Sequence, residues 1–228
     1  MAAKHVAMVL AAGKGERMQP LTNHTPKPLL KAAGEPLIGH TLKRLAAAGC
    51  HRAVINCAHL GEQLPMALGD GAQYGLEILY SHEKEPLETA GGIIQALPLL
   101  NSEQFLVVNA DVWCDYPLNS LINFSLNKDL AHLVMVNNPP QHPLGDFKLH
   151  SGRLHAKENH AEVGLTYSGI GLFSCELFSG LEEGFRALRP LLDSAMAAGR
   201  VSGELYSGDW RDIGTPERLQ QLNRDLTP

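Results

Sequence analysis

The sequence predicts an α/β fold, a mostly parallel sheet with helices on both faces. Three observations carry this expectation. Short β-favouring apolar runs alternate with helix-like patterns through the first half of the chain. The first apolar run opens directly into closely spaced glycines, and a later one opens into Asn109-Ala110-Asp111, so polar groups gather where strands end. With 228 residues, of which 44% are hydrophobic and 19% charged, the chain has apolar material for one sizeable core.

The elements follow in order. Strands are predicted over residues 6–10, 53–57, 77–80 and 105–108, and helices over 37–48, 60–68 and 91–100. Right-handed crossovers make such neighbours parallel, which gives a Rossmann-like arrangement. A helix over 118–127 and a strand over 131–136 come next, then a turn through Pro139, Pro140 and Pro143. Residues 146–149, 153–156 and 165–173 read as strands separated by Ser151-Gly152 and a polar loop, which predicts a small antiparallel excursion. A helix over 188–198 stops near Gly199, and strands over 201–207 and 210–213 follow. Thr215 reads as the N-cap of the last helix, with Pro216 at its first position and Glu217 set against its dipole. No repeat, low-complexity tract or linker interrupts residues 1–228, so a single domain is expected.

Composition narrows the partners. A formal charge of −5 without a basic run disfavours nucleic acid and anionic membranes, and leaves room for a local cationic pocket. No secretory pattern opens the chain and no apolar run is long enough to span a bilayer, so a cytoplasmic location is expected. The four cysteines lack C-x-x-C spacing and read as reduced thiols, and the eleven histidines lack zinc-ligand spacing.

The opening stretch is the most informative. Ala11-Ala12-Gly13-Lys14-Gly15-Glu16-Arg17-Met18 follows the first strand, and exposed N–H groups of such a loop can accept phosphate or a nucleotide. A dinucleotide fingerprint would need glycine at Met18, and a P-loop would need Gly-Lys-Ser/Thr, which is absent. The connection to the helix at Leu37 is too long for an ordinary βα turn, and its prolines argue against disorder. Lys27, between Pro26 and Pro28, is expected to be extended and stiff, a preorganised phosphate ligand.

Leu10-Ala11-Ala12-Gly13-x-Gly15-x-Arg17-Met18, with Pro20-Leu21-Thr22 and Pro26-Lys27-Pro28, resembles the signature of the sugar-1-phosphate nucleotidyltransferases. The resemblance runs on to Trp210-Arg211-Asp212-Ile213-Gly214-Thr215-Pro216. It implies the nucleotidyltransferase fold and attack of a sugar 1-phosphate on the α-phosphate of a nucleoside triphosphate, with release of pyrophosphate. The later motifs resemble most the branch that uses UTP and N-acetylmuramate α-1-phosphate. A mannose- or glucose-1-phosphate nucleotidyltransferase is the alternative, and a non-catalytic nucleotide-sensing subunit a second. Oligomeric state stays open.

The resemblance also implies roles. Asp111 and Asp212 would hold Mg2+, although either aspartate taken alone could serve as a turn or cap residue. Arg17 would grip the departing phosphates, and Lys27 would neutralise charge around the reacting ones. Ala11, Ala12, Gly13, Gly15, Lys27, Glu85 and Gly91 would bind the nucleotide. The last two lie in a segment where Thr89 is expected to cap a helix, and glycines in that helix's first turn suggest close approach to its backbone. Asn109, Asp146, Glu158, Ser168 and Gly169 would meet the sugar, in the antiparallel excursion and beside it. Lys157-Glu158-Asn159 departs from the Glu-Lys-Pro of the thymidylyltransferase branch, which disfavours a glucose-type substrate.

Overall fold

The architecture is that of a computed structural model describing residues 5–159 and 161–227. Its centre is a run of four parallel strands, β1 (His5–Leu10), β4 (Cys50–Cys57), β5 (Glu77–His82) and β6 (Gln104–Asn109), ordered β5-β4-β1-β6. The two inner strands β1 and β4 and their neighbour β6 are apolar on both faces through their middles, as expected of strands covered by helices on either side, while β5 at the edge has Glu77 and His82 exposed. The helices between them are α1 (Leu37–Ala48), α2 (Gln63–Leu68) and α3 (Glu88–Leu100). In α1, Leu37, Ile38, Leu42 and Leu45 share the buried stripe, and Gly49 ends the helix at φ 102°.

The sheet continues past β6 with β11 (Thr166–Ser174), antiparallel, then β8 (Ala131–Val136), β12 (Val201–Tyr206) and the hairpin β10 (Arg153–Ala156) and β9 (Phe147–His150). The expected excursion keeps the β9–β10 hairpin at one edge, and antiparallel pairing also joins β10 to β12 and β11 to β6 and β8. The strand expected over 165–173 is instead a central strand, because Gly171, Leu172 and Phe173 pair on one side with β6 and on the other with β8. Two short pairs flank the sheet: β2 (Lys31–Ala32) with β3 (Glu35–Pro36), and β7 (Val112–Cys114) with β13 (Trp210–Asp212). The sequence gives little sign of a strand at β7. Helices α4 (Asn119–Ile122), α5 (Arg189–Ala197) and α6 (Pro216–Leu226) complete the fold.

The faces of the sheet bury separate apolar clusters, one with α1 and α2, the other with α3 and α5. A third cluster, around Met18, Ala32, Leu37, Ile213, Leu219 and Leu222, ties α6 to the glycine loop and to β2. No helix among the described residues is long and apolar enough to cross a membrane.

Several expected boundaries shift for local reasons. The helix over 118–127 shrinks to α4, which is capped at Asn123, and Asn127 further on is left-handed at φ 50° and bonds locally to Ser125. The helix expected from residue 60 starts at Gln63, since Leu60 has φ 52°. Helix α3 starts at Glu88, with Leu87 at its N-cap and no side-chain cap bond, so Thr89 is inside the helix. Lys27 is not extended: it begins a 3-10 turn, Lys27–Leu29, where Pro28 sits in the first turn and sacrifices no hydrogen bond. The last helix is capped as predicted, Thr215 accepting from the Arg218 N–H with Pro216 first in the helix.

Candidate active site

Two parallel strands end side by side on one rim, Leu10 of β1 in register with Asn109 of β6. The Ala110 N–H donates to the Leu10 carbonyl at 3.0 Å, which ties the exit of β6 to the start of the glycine loop. Between them opens a cleft of about 630 Å³, lined by Ala11, Ala12, Gly13, Gly15, Arg17, Lys27, Asn109 and Asp111 among others. Position beyond the carboxyl ends of parallel strands is where α/β sheets bind ligands.

The two glycines of the loop differ. A Cβ on Gly13 would meet nothing within 4 Å, so its backbone borders open space. Gly15 has φ 66°, and a Cβ there would come within 3.0 Å of Thr22 and 3.2 Å of the Lys27 side chain. Gly15 thus lets the loop fold down onto the segment that carries Lys27, and Thr22 fastens it by donating to the Gly15 carbonyl at 2.8 Å. Lys27 is 8% exposed, and its ammonium lies 2.5 Å from Asp111 Oδ2. A buried lysine paired to one carboxylate oxygen is a fixed positive charge at the floor of the cleft. Arg17 is exposed and lines the same cleft.

Asp212 arrives from the far end of the chain. In the β7–β13 pair it stands opposite Val112, and the Ile213 N–H donates to the Asp111 carbonyl at 3.0 Å. Both aspartates line a second cavity of about 380 Å³, next to the first, together with Arg17 and Asn109. Asp212 Oδ2 accepts from Arg218 Nη1 at 2.8 Å. A Cβ on Gly214 would lie 3.0 Å from Asp212 Oδ2, 3.2 Å from Arg218 Nη1 and 3.3 Å from Arg17 Nη2. Two guanidiniums and a carboxylate therefore converge on a position that only glycine leaves open.

At the other end of the cleft the structure redirects attention from Glu85 to Glu83. Glu85 is exposed and does not line the cleft, although Glu83, Pro86, Glu88 and Thr89 around it do. Glu83 is 6% exposed and accepts from Asn56 Nδ2 at 2.7 Å and from the Leu87 N–H at 2.9 Å. Asn56 Oδ1 in turn accepts from the Ala11 N–H at 2.8 Å, so this chain of bonds fixes where the glycine loop departs. Asn56 interrupts the apolar run of β4 and was the one sequence sign of this arrangement. Gly91 is also displaced from the cleft: a Cβ there would be 2.2 Å from the Gly184 carbonyl, and its N–H donates to Arg186. Close approach to the helix start is real, but it comes from the chain itself.

On the sugar side, Asn109 and Ser168 line the second cavity, and Gly169, at φ 79°, has Asn109 Nδ2 2.6 Å from where a Cβ would be. Trp210 Nε1 donates to the Ser168 carbonyl at 2.9 Å. Asp146 lies outside both cavities; it accepts the Tyr167 N–H at 2.8 Å and pairs with His142 at 3.1 Å, a loop-fastening role. Glu158 is on the surface, 3.6 Å from Lys148, away from the cavities. Burial pushes the Tyr167 phenol up, with the Asp146 charge adding to the effect.

Asp111 and Asp212 suit a hard divalent cation. Each uses one oxygen, Oδ2, in its ion pair, and the other oxygen has no hydrogen-bond partner among the described residues. No group of three or more His, Cys, Asp or Glu ligands occurs among those residues, and magnesium asks only for one or two carboxylates when phosphates complete its shell.

Comparison with known proteins places this geometry. The nucleotidyl transferase family model matches residues 6–149. The N-acetylmuramate alpha-1-phosphate uridylyltransferase of Neisseria meningitidis serogroup B is 50% identical over 220 residues, covering 94% of this chain and 95% of its own length. The mannose-1-phosphate guanylyltransferase catalytic subunit beta of Drosophila pseudoobscura pseudoobscura is 30% identical over 223 residues, 92% of this chain but 59% of that protein. Among solved structures, a putative glucose-1-phosphate thymidylyltransferase from Bacillus anthracis superposes with a TM-score of 0.85 at 21% identity, covering 97% of this chain and 94% of that one. HddC from Yersinia pseudotuberculosis, complexed with GMP-PN, gives 0.81 at 20% identity, covering 98% and 100%. These last two likenesses bear on the fold alone. The chain belongs to the nucleotidyl transferase family.

Proposed function

We propose that this protein transfers a uridylyl group from UTP to N-acetylmuramate α-1-phosphate, giving UDP-N-acetylmuramate and pyrophosphate, in the recycling of cell-wall sugar. The observation that carries the reading is the 50% identity to a uridylyltransferase of that specificity over 94% of the chain. The rim where β1 and β6 end supplies groups suited to the chemistry. UTP occupies the larger cleft, its phosphates over Gly13 and Gly15, and the sugar 1-phosphate enters the second cavity beside Asn109 and Ser168.

The nucleophile is a phosphate oxygen that is already anionic, so no side chain needs to remove a proton. The protein's task is to hold two anions together and screen their repulsion. Arg17, whose forked guanidinium fits phosphate oxygens, grips the β- and γ-phosphates that leave. Lys27, fixed by burial, neutralises charge around the α-phosphate as the acceptor closes on it. Asp111 and Asp212 hold magnesium, which when bound neutralises phosphate charge and orients the triphosphate. Their pairing with Lys27 and Arg218 orients both carboxylates beforehand.

The test is a matrix of four nucleoside triphosphates against N-acetylmuramate, N-acetylglucosamine, glucose and mannose 1-phosphates, scored by pyrophosphate release. UTP with N-acetylmuramate α-1-phosphate is the expected best pair, and excess EDTA is expected to abolish turnover. Preference for mannose or glucose 1-phosphate would overturn the substrate assignment. Undiminished turnover in EDTA would overturn the metal.

A further inference from the structure

A third cavity, of about 200 Å³, adjoins the sugar-side cavity and shares Pro139, Gln141, Trp210 and Asp212 with it. Its volume is several times the roughly 30 Å³ that one water occupies in the liquid, enough for a substituent of a few heavy atoms. Its remaining polar lining comes from Arg211, Arg218 and Gln221. Two guanidiniums thus line the cavity beside the Asp212 carboxylate.

The two arginines are not equivalent. Arg211 is fully engaged: Nε and Nη2 donate to Asp209 at 2.8 and 3.0 Å, and Nη1 donates to Asp225. Arg218 spends only Nη1, on the Asp212 carboxylate at 2.8 Å and its carbonyl at 3.4 Å. Its Nε and Nη2 have no acceptor among the described residues. Those two nitrogens form one edge of the guanidinium, the edge that meets a carboxylate in a bidentate pair. The group is held in place by Asp212 and by its position in the first turn of α6, so little order is lost when an anion arrives.

We propose that this annex receives a carboxylate carried by the sugar, and that Arg218 is the residue that selects for it. Resting on the substrate reading above, that carboxylate is the lactyl group by which N-acetylmuramate differs from N-acetylglucosamine. The phosphate and acetamido ends lie in the second cavity, and the lactyl ether crosses by Trp210 into the third. Arg218 also touches Asp212, so its loss disturbs the metal end as well. A ratio between two sugars separates the effects, because disturbance at Asp212 acts on both alike.

The experiment compares kcat/KM for N-acetylmuramate and N-acetylglucosamine 1-phosphates, with UTP, in the full-length enzyme and in Arg218→Gln, Arg218→Lys and Gln221→Glu. In Arg218→Gln the ratio should fall about 10- to 100-fold, the span expected for hydrogen bonds to a charged group. Arg218→Lys should retain part of the preference, and Gln221→Glu, which leaves Arg218 in place, should lower the ratio by placing a like charge in the annex. Asp212→Asn should depress both substrates with the ratio unchanged. An unchanged ratio in Arg218→Gln and Gln221→Glu would overturn the annex while leaving the reaction intact. Failure of the unmodified enzyme to use N-acetylmuramate 1-phosphate would overturn the substrate reading and the annex together.

Discussion

Lys27 is almost fully buried, which costs an ammonium group dearly unless it is paired, and the Asp111 carboxylate 2.5 Å away supplies the partner. Under the proposed mechanism its charge matters most when the two phosphates are closest. Steady-state kinetics on Lys27→Ala should show kcat falling by about 100-fold or more, at least as much as KM rises, as when one preorganised electrostatic donor is lost. Arg17 is exposed and on the same proposal grips the leaving group, so Arg17→Ala should raise the KM for UTP more than it lowers kcat. Near-normal kinetics in both variants would make the loop merely structural. Asp111→Asn and Asp212→Asn, if they share one cation, should each lose most activity, and the double variant little more than either. A Mg2+ titration with a melting curve on Asp212→Asn distinguishes this from a purely structural role in its ion pair with Arg218. A structural role predicts a loss of about 1 kcal/mol or less with an unchanged metal response.

At the scale of elements, the start of α3 shows what the glycines do. A Cβ on Gly92 would lie 2.5 Å from Glu83 Oε1 and 2.7 Å from Asn56 Nδ2, the two groups that fix the departure of the glycine loop. Alanine is the better helix former by about 1 kcal/mol, but overpacking of a filled site costs about 1–3 kcal/mol. Gly92→Ala should therefore be destabilised in urea and bind UTP more weakly. Gly13→Ala, with open space around it, should keep its stability and lose only UTP affinity; equal stability loss in the two variants would contradict this account. The same contrast shows what the sequence made legible. Helix α1 falls where its apolar periodicity puts it and strand β8 where its apolar run does, because both are local properties of the pattern, and β10 follows the Ser151-Gly152 turn. The convergence of β1 and β6 on one rim was legible for the same reason. Glu83, Asn56 and Arg218 were not, because their importance lies in partners 27, 45 and 6 residues away that only the folded chain brings near. Nor was the true role of Gly91, since the Gly184 carbonyl that crowds it belongs to an irregular loop without a pattern.

For the whole molecule, the mixed half of the sheet carries a buried polar cluster that lines none of the three cavities. His132, 5% exposed, sits between β11 and β12, with its Nδ1 2.9 Å from Ser202 Oγ and its Nε2 3.5 Å from Glu204. Burial holds its pKa below the usual 6.5, against the attraction of Glu204 and Asp129 and with Arg153 also disfavouring the charge. The unfolded imidazole then binds protons at higher pH than the folded one, so this contribution to stability is present above about 6.5 and is lost as pH falls through the lower folded value. The melting-temperature gap between the unmodified protein and His132→Gln should narrow from pH 7.5 to 5; a widening gap would reverse the sign. The last consequence comes from the bond between Ile213 N–H and the Asp111 carbonyl. Strands β1 and β6 and the glycine loop precede Asp212 and α6 in the chain and are made before them. On the proposed assignment, a nascent chain has its nucleotide cradle before it has its second metal ligand. Translation order itself then delays catalysis until α6 has docked beside the loop made first.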